Sequence, residues 1–153
     1  MKNLIIVRHA HAEENLPNVE DIERPLEQRG YGEIETVAAR LEVSGTVRVL
    51  SSGALRARQT AKRLLDVMKL PEEILEIHPR LYMAYSSDIM SIIRSTSNSI
   101  EHLIIVGHNP TLTELVQTIC GVGSVKKMIP GSAVRIGFTA GNWQDVEPSK
   151  GSL

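Results

Sequence analysis

The sequence predicts an α/β fold: a three-layer α/β/α sandwich with a mainly parallel central sheet and an antiparallel C-terminal edge hairpin. Three observations carry that prediction. Leu4-Ile5-Ile6-Val7 and Leu103-Ile104-Ile105-Val106 are apolar at every position, as strands buried on both faces are. Around them, short β-branched runs alternate with amphipathic helical segments, the pattern of strand–helix–strand units. The tail then changes period: Ala133-Val134-Arg135-Ile136-Gly137-Phe138 alternates, and Gly141-Asn142 ahead of Trp143-Gln144-Asp145-Val146 is a hairpin signal.

The first strand ends in Arg8-His9-Ala10. From His11 to Pro25, acidic residues, prolines and scattered apolar positions keep no period, so the stretch reads as a loop with His11 exposed in it. Beyond Gly30 and Gly32, Ile34, Val37, Ala38 and Leu41 recur at helical spacing until Ser44-Gly45 ends the pattern. Val47-Arg48-Val49-Leu50-Ser51 is the next strand and Ser52-Gly53 a turn. Ala57, Ala61, Leu64, Leu65 and Met68 form the inner stripe of a helix that Pro71 closes. Ile74-Leu75-Glu76-Ile77 is a weaker strand. Ser86, Ser87 or Asp88 caps a helix with Ile89, Ile92 and Ile93 on one face. After the second buried strand, Pro110 suits the first turn of a helix whose inner face is Leu112, Leu115, Val116 and Ile119. Pro148 to Leu153 reads as a loose end.

A chain of 153 residues with 42% hydrophobic content suits one globular domain over residues 1–153. Its 17 basic and 18 acidic residues nearly cancel, so no overall field favours nucleic acid or an anionic membrane. Any anion site must be local. The lone Cys120 falls in an apolar helical run and reads as a core residue. No apolar stretch is long enough to span a bilayer, and the strand that starts at Leu4 leaves no room for a secretory segment. The expected setting is cytoplasmic.

Ligands of such sheets bind outside the carboxyl ends of the strands. Arg8, His9, Ser51, Ser52, Arg56, Gly107 and His108 all stand there. Two guanidinium forks suit the paired oxygens of a phosphoryl group, and arginine stays charged when desolvated. Arg56 and His108 also sit at helix N-termini, where unpaired N–H groups favour an anion. In such a cage a neutral His9 could attack phosphorus in line, and water could then hydrolyse the phosphohistidine. Arg8, Arg56 and a protonated His108 would meet the negative charge. This chemistry requires no cofactor. A metal held by His9, His11 and His108 is disfavoured by the adjoining arginines.

Arg8-His9 after a first strand, Ser51-Ser52-Gly53-Ala54-Leu55-Arg56-Ala57-Arg58-Gln59-Thr60-Ala61, and Val106-Gly107-His108-Asn109-Pro110 together resemble the histidine phosphatase superfamily, the phosphoglycerate mutase-like proteins. The short length, with Arg24-Pro25-Leu26 and Gly30 after the first motif, is more specifically similar to SixA-type phosphohistidine phosphatases. The resemblance runs from about residue 3 to residue 138. It implies that His9 is the phosphorylated nucleophile, that Arg8, Arg56 and His108 complete the phosphate pocket, and that Ser52 and Asn109 support it. Ala10 replaces the family's usual glycine, and Gly53 its usual proline. Mutase-like and acid phosphatase members carry a separate acidic proton donor, for which Glu13, Glu14 and Asp88 are candidates by chain position. A phosphoramidate leaves more readily than an alkoxide and needs such a donor less. The implied function is a metal-independent phosphatase using a phosphohistidine intermediate, acting on protein phosphohistidine. The alternatives are a phosphatase of small phosphate monoesters and a non-catalytic phosphate-binding module. Neither nucleic acid nor membrane is an expected partner.

Overall fold

Both faces of the central strands are apolar, and the chain covers both. The computed structural model describes residues 2–14 and 16–147, so the loose end read at Pro148 to Leu153 lies outside the described residues. Its elements run β1 (Lys2–Arg8), α1 (Gln28–Ala38), β2 (Val47–Ser51), α2 (Leu55–Met68), β3 (Leu75–Ile77), α3 (Ser86–Arg94), β4 (His102–Gly107), α4 (Thr111–Cys120) and β5 (Ala133–Phe138). The strands lie in the order β3-β2-β4-β1-β5. The β1–β5 pair is antiparallel and the other three pairs are parallel.

Alternate residues of β1 and β4 feed two cores. Leu4, Ile6, Leu103 and Ile105 join the apolar residues of α3 and α4, while Ile5, Val7, Ile104 and Val106 join those of α1 and α2. All eight are at most 1% exposed. At roughly 1.5–3 kcal/mol for each large apolar side chain buried, β1 and β4 are the strands the fold can least lose. The step from β1 past β4 to β2, and on to β3, keeps α1 and α2 on one face. The return from β3 to β4 runs the other way and puts α3 on the opposite face, as right-handed crossovers require.

Three local expectations change. α1 begins at Gln28 and ends at Ala38, so Leu41 packs from beyond the helix. The residue before α3 is Tyr85, whose N–H donates to the Asp88 carboxylate at 2.9 Å, so Asp88 caps from inside the first turn. At the C-terminal edge β5 is antiparallel as read, but the second arm of the expected hairpin is no strand. Trp143–Asp145 forms a 3₁₀ turn instead. Trp143 is fully buried, its indole N–H donates to Ile100 O at 2.7 Å, and its backbone N–H donates to Asn98 Oδ1 at 3.0 Å. Burying and satisfying an indole outweighs a short strand pairing at a sheet edge. Among the described residues no helix is long and apolar enough to cross a membrane.

Candidate active site

The parallel ladder pairs Arg8 with Gly107, so His9 and His108 leave two neighbouring strands side by side. Their ring centroids are 5.1 Å apart. β2 ends one pair short, at Ser51 opposite Val106, and the Ser52 N–H continues the ladder to Val106 O at 3.1 Å. Arg56 enters from the first turn of α2. The result is a pocket of about 230 Å³ in which Arg8, His9, Arg56, His108 and Asn109 meet, with His11, Glu14, Arg24 and Pro130 at its walls. Ser52 reaches it indirectly, its Oγ lying 2.7 Å from His108 Nε2.

His9 Nδ1 lies 2.8 Å from the carbonyl oxygen of Ala10. A carbonyl only accepts, so Nδ1 carries the hydrogen and the lone pair is on Nε2. Burial, opposed by the Ala10 hydrogen bond and reinforced by Arg56 and Arg8, lowers the His9 pKa to about 4. Burial, then His9 and Arg56, lower that of His108 to about 3. Burial therefore favours the neutral form of both imidazoles near pH 7.

The arginines are held by acceptors outside the pocket floor. Arg8 donates to Met128 O at 2.8 Å, an oxygen shared with the Asn109 amide at 2.9 Å. Asn109 Oδ1 in turn accepts the Thr113 N–H at 3.1 Å, which caps α4. Arg56, only 6% exposed, donates to Asp21 O at 2.7 Å and to Asp21 Oδ2 at 3.1 Å. The Asp21 carboxylate also accepts from the Tyr82 hydroxyl at 2.6 Å and from Arg24 at 3.0 Å. The Tyr82 hydrogen bond first, then Arg24 and Arg56, hold its carboxyl well below the usual carboxylate range. Tyr82 sets its ring edge-on against His108, centroids 5.6 Å apart. Arg8 Nε, Arg56 Nε and His108 Nδ1 are buried without a hydrogen-bond partner among the described residues.

Asp21 and Tyr82 are the residues that reasoning on the sequence passes over. Asp21 is one acid among several in an aperiodic loop, and Tyr82 follows a turn sixty residues away from it in the chain. Of the proton-donor candidates, Glu14 borders the pocket, Asp88 is spent on α3, and Glu13 lines no wall of the pocket. His11 is half-buried rather than exposed, with its ring paired to Glu33 and its N–H donating to Glu33 Oε1 at 2.9 Å. The two departures from the motif are both accommodated. Ala10 is buried at an ordinary negative-side φ, its N–H donating to Thr60 Oγ1 at 3.1 Å. Gly53 likewise lies outside the left-handed region, and a Cβ there would meet only Pro79, at 4.0 Å. Neither position demands the family's residue.

The family model for the histidine phosphatase superfamily (branch 1) matches residues 4–82, just over half of the chain. An uncharacterized protein of Mycobacterium tuberculosis is 30% identical over 155 residues, covering 94% of both chains. The chain belongs to the histidine phosphatase superfamily. Its fold is of the SixA type. A structure of the protein histidine phosphatase SixA complexed with tungstate superposes with a TM-score of 0.76 at 24% identity, covering 92% of this chain and 91% of that one. A SixA structure from Nakamurella multipartitia gives 0.80 at 19% identity, with 99% and 94% covered. The same fold is shared with a mycobacterial glucosyl-3-phosphoglycerate phosphatase, TM-score 0.66 at 12% identity, with 95% of each chain covered. Membership of the superfamily supports phosphatase chemistry, and the fold by itself does not choose among phosphorylated substrates.

Proposed function

We propose that this histidine phosphatase superfamily member hydrolyses phosphorylated substrates through a phosphohistidine formed on His9, and that protein phosphohistidine is its substrate class. The observation that carries the reading is the commitment of the His9 Nδ1 hydrogen to Ala10 O, which leaves a free Nε2 lone pair on a neutral ring in a pocket lined by Arg8, Arg24 and Arg56. Nε2 attacks phosphorus, a P–N bond forms, and the bond from phosphorus to the substrate nitrogen breaks, that nitrogen taking up a proton from solvent. Water then displaces His9 from phosphorus and releases inorganic phosphate, restoring the neutral ring. Arg8 and Arg56 meet the charge on the equatorial oxygens, with their unpartnered Nε–H groups as further donors. A phosphoryl dianion beside His108 favours its protonation, opposing the burial that lowers its pKa.

The acids support the substrate class. Asp21, the carboxylate in contact with Arg56, is held ionised and has no proton to give, and Glu14 is solvent-exposed at the pocket edge. A phosphoramidate, whose leaving imidazole needs little acid assistance, suits that set better than an alkyl phosphate. Incubation with a phosphodonor and rapid acid or alkali quenching tests this. Alkali-stable, acid-labile label should map to His9, and His9→Ala should lose label and turnover together, by at least about 10³-fold in rate. Near-normal turnover by His9→Ala removes the nucleophile assignment, and faster turnover of alkyl phosphates than of a phosphohistidine protein removes the substrate class.

A further inference from the structure

The phosphoryl pocket opens on two sides, and the two sides differ in charge. One opening leads along Glu14, Asp21 and Arg24, and its guanidiniums are already engaged, since Arg24 and the neighbouring Arg56 both bond to the Asp21 carboxylate. The other leads into a groove of about 410 Å³ between α4 and the loop that follows it. Arg8 and Asn109 line both this groove and the phosphoryl pocket, so the two adjoin at those side chains. Lys126 and Lys127 form its far side, exposed and without an ion-pair partner among the described residues, and its only carboxylate is Glu114. The lysine loop is tied down: Val125 O accepts from the Gln117 amide at 3.0 Å, and the Met128 N–H donates to Thr113 Oγ1 at 3.0 Å. The backbone on either side of the two lysines is thus held, and their ammonium groups extend from it beside a pocket smaller than the groove.

We propose that this groove is a subsite for a second anionic group carried on the same substrate as the phosphoryl group, with Lys126 and Lys127 as its counter-charges. The proposal rests on the phosphatase reading above and adds a specificity determinant to it. The anionic group has two sources: an acidic side chain near a phosphohistidine in a protein, or the carboxylate of a small phosphate monoester. The groove's volume admits either. The opposite flank, where Arg24 and Arg56 are paired to Asp21 and Glu14 is exposed, attracts neither, so the charge pattern also orients the substrate across the pocket.

Two matched pairs test it, each compared as a ratio of kcat/KM. One pair is a phosphohistidine peptide with aspartates beside the phosphorylated residue and the same peptide with asparagines. The other is phosphoserine and phosphoethanolamine, which differ by one carboxylate. Exposed charge pairs support a preference of about 5-fold for the anionic member of at least one pair, shrinking at high salt. K126Q/K127Q should bring that ratio close to one. Because the ratio is internal to each enzyme, partial misfolding of the variant does not mimic the effect. Preference within the peptide pair assigns the groove to a protein substrate, and preference only within the small pair assigns it to a metabolite. Equal rates within both pairs, or a preference that survives K126Q/K127Q, overturn the proposal. If no substrate is turned over and no label forms, the phosphatase reading fails. Binding then decides the subsite: phosphoserine should bind about 5-fold more tightly than phosphoethanolamine, and equal affinities overturn it.

Discussion

At the scale of single residues, Asp21 holds together groups that are far apart in the chain. Its carboxylate and carbonyl bind Arg56, and the same carboxylate binds Arg24 and Tyr82, so it fixes the guanidinium while cancelling part of its charge. These two effects pull a substitution in opposite directions. In Asp21→Asn, removal of the negative charge should strengthen inhibition by the product phosphate, while the loosened Arg56 should lower kcat by about tenfold, the size of one charged hydrogen bond. Steady-state kinetics with a phosphate inhibition series separate the two. Parallel weakening of phosphate binding and kcat would instead mean that Asp21 only holds its loop in place. Asp21 is a positioning residue, since its contacts are with Arg24, Arg56 and Tyr82 rather than with the reacting atoms.

At the scale of elements, α1 shows how closely the site is backed. A Cβ on Gly30 would lie 2.6 Å from His11 O and 3.3 Å from Ala10 Cβ, so the helix presses directly on the segment that follows His9. On Gly32, two residues along the same helix, a Cβ would meet no atom within 4 Å. Replacement of a helical glycine by alanine is intrinsically favourable by about 1 kcal/mol. At Gly32 that gain should appear as a higher urea midpoint. At Gly30 the clash is with backbone, and overpacking of about 1–3 kcal/mol should win, lowering the midpoint and slowing turnover. Stabilisation by both substitutions would show that the 10–11 segment yields freely. Gly131 also closes on the strand end, its N–H lying 3.1 Å from Arg8 O and 3.0 Å from His9 O. Its φ of +75° and the approach of Glu33 Cβ leave no room for a side chain there.

At the scale of the whole molecule, the buried neutral histidines tie stability to pH. Their folded pKa values, about 4 for His9 and about 3 for His108, lie below the 6.5 of an unfolded chain. The unfolded state therefore binds more protons below pH 6.5. Stability is full above that value and is lost as pH falls towards 4 and then 3. Asp21, with its carboxyl also lowered, adds a loss confined to pH values below 3.8. Urea midpoints at pH 7 and pH 4.5 should show His9→Asn losing less stability than the unsubstituted chain across that interval, by about 2–3 kcal/mol. Equal losses would place the acid sensitivity elsewhere.

Much of this molecule was legible in one dimension. Unbroken apolar runs have few places to go in water other than the middle of a sheet, so β1 and β4 announced themselves. Arg8, His9, Arg56 and His108 could then be set at strand ends or at the first turn of the following helix. What spacing could not supply was contact. The pairing of Arg8 with Gly107 brings the two histidines together, and that register is a property of two strands a hundred residues apart. The Asp21–Tyr82–Arg56 cluster joins an aperiodic loop, a turn and a helix, with no period to betray it. Trp143 misled because Gly141-Asn142 is a local turn signal, whereas the indole's burial is decided by the segment joining α3 to β4, whose Asn98 and Ile100 come beside it only once the chain has folded. The sequence by itself determined the layers and which side chains stand at the carboxyl edge, since hydrophobic periodicity is local. The tertiary structure alone decided their protonation, their hydrogen-bond partners and the unequal charge on the two sides of the pocket, since desolvation and electrostatics depend on distance through space.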